Sequence, residues 1–206
     1  MINVIKLNKN GKETQDMVLY WTNLAQIRDL VPTHPGQSRA PGSAWAWSLL
    51  AYAVLEQWSC GLPEIALTAG GKPFFPSRPD LCFSLSHTKT AVLAAVSSFP
   101  IGVDVEFRRE TKPALERRVM ELPHGDLDLF ELWTLRESWF KLTGEGNLLS
   151  IPFSRENGVI AGPSPALRCR LYDEIPDCCA SVCSLTETPS EKLLYIPPEA
   201  LCRFST

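Results

Sequence analysis

Phe99-Pro100-Ile101-Gly102-Val103-Asp104-Val105-Glu106 is the stretch from which the rest of the chain is read. Ile101, Val103 and Val105 recur with the two-residue period of a β-strand and share one face, while Gly102, Asp104 and Glu106 share the other. Two carboxylates thus point the same way from one strand, behind a glycine that leaves room beside them. Like charges on one face repel, and a bound cation would remove the conflict. The stretch that belongs with it is Leu132-Trp133-Thr134-Leu135-Arg136-Glu137-Ser138-Trp139-Phe140-Lys141. It predicts a helix with Trp133, Glu137 and Lys141 on one face. Asp104, Glu106 and Glu137 together would offer the few hard oxygens that magnesium takes before water and substrate phosphates complete its shell. Taken singly, the same residues suit a solvated strand end and a Glu137–Lys141 surface pair worth about 0.3–0.5 kcal/mol.

The chain has 206 residues, 45% of them hydrophobic and 21% charged, with a formal net charge of −3. This is an ordinary globular composition, long enough to bury a core as one domain or two small halves. The acidic balance lacks the basic footprint of a nucleic-acid binder. No run of about 18 apolar residues is available to span a bilayer. Residues 1–10 lack a basic n-region followed by a long apolar core. The expectation is a cytoplasmic protein that binds neither nucleic acid nor membrane. Seven scattered cysteines, an odd number, fit reduced thiols. The Cys178-Cys179…Cys183 group lacks the paired arms of a structural zinc site.

Along the chain, Met1 to Leu7 reads as a strand and Tyr20 to Val31 as a mixed, helix-leaning segment. His34-Pro35-Gly36 and Pro41-Gly42-Ser43 break the chain. Ala44 to Trp58 predicts a buried helix, Ile65 to Thr68 a short strand, and Ala69-Gly70-Gly71-Lys72-Pro73 a turn presenting Lys72. Leu81 to Ser86 and Ala91 to Val96 predict strands joined through His87-Thr88-Lys89-Thr90. Ala114 to Met120 is helical by composition. Asp126 or Asp128 caps the long helix, which Gly144-Glu145-Gly146 ends. Short strand-like runs follow, so a helix followed by strands occurs twice. Ser86, His87 and Thr88 at a strand end offer two hydroxyls and an imidazole to a phosphate. Lys72 offers a point charge.

Four strings, Gly71-Lys72-Pro73, Phe83-Ser84-Leu85-Ser86-His87-Thr88, Ile101-Gly102-Val103-Asp104-Val105-Glu106 and the run from Trp133 to Gly146, occur in one order and spacing. Together they resemble the 4'-phosphopantetheinyl transferases of the larger, surfactin-synthetase-activating type, across roughly Leu62 to Pro152. The resemblance implies transfer of the 4'-phosphopantetheine arm of coenzyme A to a serine of an acyl, peptidyl or aryl carrier protein, with release of 3',5'-ADP. It implies that Asp104, Glu106 and Glu137 hold Mg²⁺, or alternatively Mn²⁺. Lys72, Ser86, His87 and Thr88 would contact phosphates of coenzyme A, with His87 on the 3'-phosphate. Asp104 lies at the same cofactor. Glu137 would serve as base for the carrier serine, and Lys141 would assist at the pyrophosphate.

The implied fold is α+β: two similar halves, each a helix packed on a small antiparallel sheet, related by a pseudo-two-fold. Residues 1–103 would form the coenzyme A half and residues 104–206 the half with the metal and the catalytic helix, in a monomer. Two positions depart from the family pattern. Arg136 stands where a lysine is usual before the glutamate, which would alter any phosphate contact made there. Ala46-Trp47 replaces a Gly-Arg or Gly-Asp pair, leaving Arg39 as the candidate for the 3'-phosphate. The readings from other classes are a non-catalytic homologue that binds coenzyme A or a carrier protein, and a metal-dependent phosphohydrolase.

Overall fold

Three strands carry apolar or small residues on both faces, and each is covered on both. In the computed structural model, which describes residues 17–25, 27 and 41–202, these are β1 (Met17–Asn23), β5 (Ala91–Ser97) and β10 (Cys178–Ser184). β5 and β10 are buried from end to end. Helix α1 (Pro41–Trp58) precedes the short strands β2 (Ala66–Leu67) and β3 (Pro73–Phe74), then β4 (Cys82–His87), β5 and β6 (Ile101–Phe107). Helices α2 (Pro113–Val119) and α3 (Leu129–Thr143) follow. After a 3-10 turn at Leu148–Ser150 come β7 (Ser154–Glu156), β8 (Val159–Ala161), β9 (Arg168–Tyr172), β10, β11 (Leu194–Tyr195) and α4 (Pro198–Leu201).

One sheet has the order β11-β1-β5-β4 and a second the order β6-β10-β9, while β2-β3 and β7-β8 are separate pairs. All pairings are antiparallel except β1 with β11. The buried residues of α1 (Trp45, Ala46, Leu49, Leu50, Ala53 and Val54) recur at helical spacing and meet Val18, Tyr20, Val92, Ala94 and Val96. The alternate residues of the same strands, Met17, Leu19, Trp21, Leu93 and Ala95, meet Ile101, Val103 and Val105 of β6 and Ala180 and Val182 of β10. The far side of the second sheet carries α3 through Leu132, Leu135 and Leu142, which pack with Cys183. The layers therefore run α1, sheet, sheet, α3. The fold is α+β with small, mainly antiparallel sheets.

β6 and β4 are the facing edges of the two sheets. They are joined by serine hydroxyls instead of a backbone ladder: Ser84 Oγ accepts from Val103 N at 3.0 Å and Ser86 Oγ from Val105 N at 3.2 Å. Edge N–H groups are thereby satisfied where neither sheet continues.

Several expectations shift. Tyr20 to Asn23 belong to β1 and are not helical. α1 begins at Pro41, so Pro41-Gly42 opens the helix and does not break the chain. Asp128 is the cap of α3: its carboxylate accepts from Phe130 N and Glu131 N, and Glu131 returns a bond to Asp128 N. The strand read at Met1 to Leu7 lies outside the described residues. None of the seven cysteines is in a disulfide. Cys179 lies 3.7 Å from the Thr134 hydroxyl, and Cys183 donates to the Leu135 carbonyl. Both pack β10 beneath α3.

Candidate active site

The face of β6 that carries Gly102, Asp104 and Glu106 lies under α3. A Cβ on Gly102 would collide with the Ser138 carbonyl oxygen and come within 2.6 Å of Leu142 N. The room expected beside the carboxylates is thus taken by the helix backbone, and glycine lets strand and helix approach. Ser138 completes the contact, with its Oγ 2.6 Å from Ser181 Oγ on β10. This close approach carries Glu137 and Lys141 to β6.

Asp104 is only 4% exposed. Its Oδ1 accepts from Lys141 Nζ at 2.7 Å and from Ser86 Oγ at 2.7 Å. Its Oδ2 is buried with no hydrogen-bond partner among the described residues. The expected Glu137–Lys141 surface pair is therefore replaced: Lys141 bonds the buried carboxylate across the strand–helix gap. Glu137 is held above the ordinary carboxylate range. Burial is the main cause and the charge of Asp104 is next, with Lys141 pulling the other way and Glu106 adding to the rise. Glu106 accepts from Arg109 Nη1 at 3.0 Å. Beside it lies a cavity of about 80 Å³, walled by Phe130 and Trp133 of α3 and by Leu115 and Val119 of α2.

Lys72, in the turn of the separate β2–β3 pair, reaches the same helix, donating to the Leu142 carbonyl at 3.1 Å. Burial lowers its ammonium pKa. His87 ends β4 and stands at the first turn of α1, where a Cβ on Gly42 would lie 2.8 Å from His87 Nδ1. Burial, and then the positive charge of Lys141, lowers its imidazole pKa. The Thr88 backbone N–H donates to Ala91 O at 2.9 Å and closes the β4–β5 turn. Arg39 lies outside the described residues.

Sequence reasoning thus names residues from four elements that the fold collects along one seam. Among the described residues, however, no group of three or more His, Cys, Asp or Glu side chains is placed to hold a metal ion. Asp104 and Glu106 face Lys141 and Arg109 instead. The donor set still suits a hard dication, because Asp104 keeps a buried oxygen with no partner among the described residues, and Glu137 is raised first by burial and then by the charges of Asp104 and Glu106.

Arg136 has a different place from the one its motif position suggests. It is 0% exposed. Its Nε donates to the Ile151 carbonyl at 2.8 Å and its Nη1 to the Val119 carbonyl at 2.6 Å, while Nη2 is buried and has no partner among the described residues. It ties α3 to the end of α2 and to the chain after the 3-10 turn. Sequence reasoning also missed Ser84 and Ser138. The signal for Ser84 was its alternation with Ser86 along β4, which marks a close strand contact as readily as a ligand, and Ser138, a single hydroxyl within α3, carried none.

No protein-family model matches the chain. Among characterised proteins, it is 38% identical over 96 residues to "4'-phosphopantetheinyl transferase Sfp" of Bacillus subtilis (strain 168), covering 40% of this chain and 41% of that protein. A second Bacillus subtilis 4'-phosphopantetheinyl transferase is 32% identical over 93 residues, 40% of this chain and 41% of that protein. A third, "4'-phosphopantetheinyl transferase ffp", is 28% identical over 176 residues, 74% of this chain and 78% of that protein. The aligned stretch spans less than half the length of the first two. The chain that builds this seam is thus similar in sequence to three 4'-phosphopantetheinyl transferases.

Proposed function

We propose that the chain transfers the 4'-phosphopantetheine group of coenzyme A to a serine of a carrier protein, releasing 3',5'-ADP. The observation that carries this reading is the pair of the buried Asp104 with the half-buried Lys141, set beside a Glu137 with a raised pKa in a relative of known transferases. Glu137, as carboxylate, takes the proton of the incoming serine hydroxyl, directly or through a water. The serine oxygen then bonds to the phosphorus that carries the pantetheine arm, and the bond from that phosphorus to the oxygen of the departing 3',5'-ADP breaks. Lys141 and Lys72 place positive charge at the pyrophosphate, where negative charge grows. His87 and Thr88 hold the phosphates of coenzyme A, with the N-terminal turn of α1 beside His87. Asp104, Glu106 and Glu137 would hold a magnesium ion, which supplies charge neutralisation at the pyrophosphate.

The fold reading goes with this one. Residues 1–103 and 104–206 form two halves about a pseudo-two-fold, the division falling inside β6, and coenzyme A lies in the cleft between them. The succession helix, sheet, sheet, helix supports it. We read the protein as a cytoplasmic monomer, because the two halves supply each other's missing layer.

The test is incubation with coenzyme A, Mg²⁺ and a panel of apo acyl, peptidyl and aryl carrier domains, scored by intact mass. The expected result is addition of phosphopantetheine to at least one carrier. It should be abolished by EDTA and reduced at least about 100-fold in Glu137→Ala and Asp104→Ala. Full transfer in EDTA would overturn the metal assignment. Coenzyme A binding without transfer to any carrier would overturn the activity.

A further inference from the structure

Ser86 belongs to β4, yet its hydroxyl is wholly engaged with β6. Its oxygen accepts from Val105 N at 3.2 Å, and its proton goes to Asp104 Oδ1 at 2.7 Å. A serine has one proton to donate, so as placed it has none left for a phosphate. The same Oδ1 takes Lys141 Nζ, and Oδ2 is left buried and without a partner among the described residues. Ser84, two residues earlier on the same face, caps Val103 N in the same way at 3.0 Å but makes no bond to a carboxylate among the described residues. The two serines are therefore matched in their structural work on the seam and differ only in the contact with Asp104.

We propose that Ser86 is a positioning residue for the metal, not a coenzyme A contact: it anchors one oxygen of Asp104 so that the other is presented to the cation. The inference rests on the reading of Asp104 as a magnesium ligand. Its physical basis is general. A carboxylate that ligates a metal is oriented by hydrogen bonds to its remaining lone pairs, and loss of such a bond costs about 10–100-fold in affinity. Ser86 is preorganised for this work, because Val105 N fixes the position of its oxygen and Asp104 takes its proton.

The test measures Mn²⁺ binding to the full chain without substrate by electron paramagnetic resonance, and coenzyme A binding in EDTA by calorimetry. Ser86→Ala should raise the Mn²⁺ dissociation constant about 10-fold or more and leave coenzyme A affinity in EDTA within about 2-fold. Ser86→Cys, of similar size but a poor donor, should weaken Mn²⁺ in the same direction, which keeps the test available if the alanine variant does not fold. Ser86→Thr, which keeps the hydroxyl, should restore wild-type affinity. Ser84→Ala should lower the melting temperature and leave Mn²⁺ affinity unchanged. The proposal is overturned if Ser86→Ala and Ser86→Cys bind Mn²⁺ like the wild type, or if Ser84→Ala weakens Mn²⁺ as much as Ser86→Ala does. It is also overturned if Ser86→Ala loses coenzyme A affinity in EDTA with Mn²⁺ binding intact. Asp104→Asn separates the levels. If it abolishes Mn²⁺ binding while the Ser86 variants do not weaken it, only the role of Ser86 fails. If Asp104→Asn binds Mn²⁺ normally, the ligand reading fails and the role of Ser86 falls with it.

Discussion

Arg136 shows how a motif position can be legible in register while its contacts are not. Its neighbours on α3, Glu137 and Lys141, turn toward β6, while Arg136 turns inward to two backbone carbonyls. A guanidinium reaches two diverging acceptors from one planar fork, and a lysine ammonium on a single stem does so less well. Arg136→Ala should cost about 3 kcal/mol or more, because it leaves the Val119 and Ile151 carbonyls buried without donors and empties the space between them. Arg136→Lys should cost about 1–2 kcal/mol. Denaturant midpoints check both. Coenzyme A affinity should stay within about 2-fold in the lysine variant, and a large drop at retained stability would return this position to the phosphate cleft.

His87 carries a pH prediction of its own. Its imidazole pKa in the folded protein lies below the ordinary value, with burial as the main cause and the charge of Lys141 next. At neutral pH it is therefore more often uncharged than a free histidine. A phosphate bound beside it favours the protonated form, so coenzyme A binding should take up a proton at His87 and tighten as pH falls from about 8 to about 6. Calorimetry in buffers of different ionisation enthalpy measures the uptake. His87→Gln should lose this part of the uptake, and an unchanged value would place the phosphate elsewhere.

At the scale of elements, α3 and β6 were legible because each shows one clean period. The β6 alternation separates an apolar face from Gly102, Asp104 and Glu106, and α3 carries its own cap and a Gly144 stop in the left-handed region at φ 73°. β1 was not legible. Met17, Leu19 and Trp21 face one layer and Val18 and Tyr20 another, so a strand buried on both sides shows no alternation. Gly102→Ala tests the closest contact between elements. Its Cβ has to displace the backbone of α3 at Ser138 and Leu142, and helix backbone yields less readily than a side chain. The expected cost is about 3 kcal/mol or more, with transfer activity lost because Glu137 and Lys141 move with the helix. A variant with wild-type melting temperature and activity would show that α3 is held less tightly than this. Asp128→Ala should cost about 1 kcal/mol from the capping box and also loses the exposed pair with Arg108, 2.7 Å long.

At the scale of the molecule, the sequence carries the order of elements but not the order of layers. Which face of a doubly buried strand meets which neighbour depends on contacts between residues far apart in the chain. The central layer joins Leu19, Leu93 and Ala95 from one sheet to Val103, Val105 and Val182 from the other. The last elements return to the beginning: β11 pairs with β1, and Ile196 and Leu201 join the core under α1. Neither half closes its own core. A fragment of residues 104–206 would expose Val105, Ala180 and Val182, and a fragment of residues 1–103 would expose Leu19, Leu93 and Ala95. At about 1.5–3 kcal/mol for each large apolar side chain uncovered, the loss is comparable with the usual stability of a small domain. Each fragment alone should therefore show no cooperative thermal transition and should bind a hydrophobic dye. Mixing the two should restore a cooperative transition by re-forming the sheet-to-sheet layer. Independent cooperative unfolding of either fragment would show that its sheet is stabilised chiefly by its own helix, and that the layer between the sheets is a docking contact between finished domains.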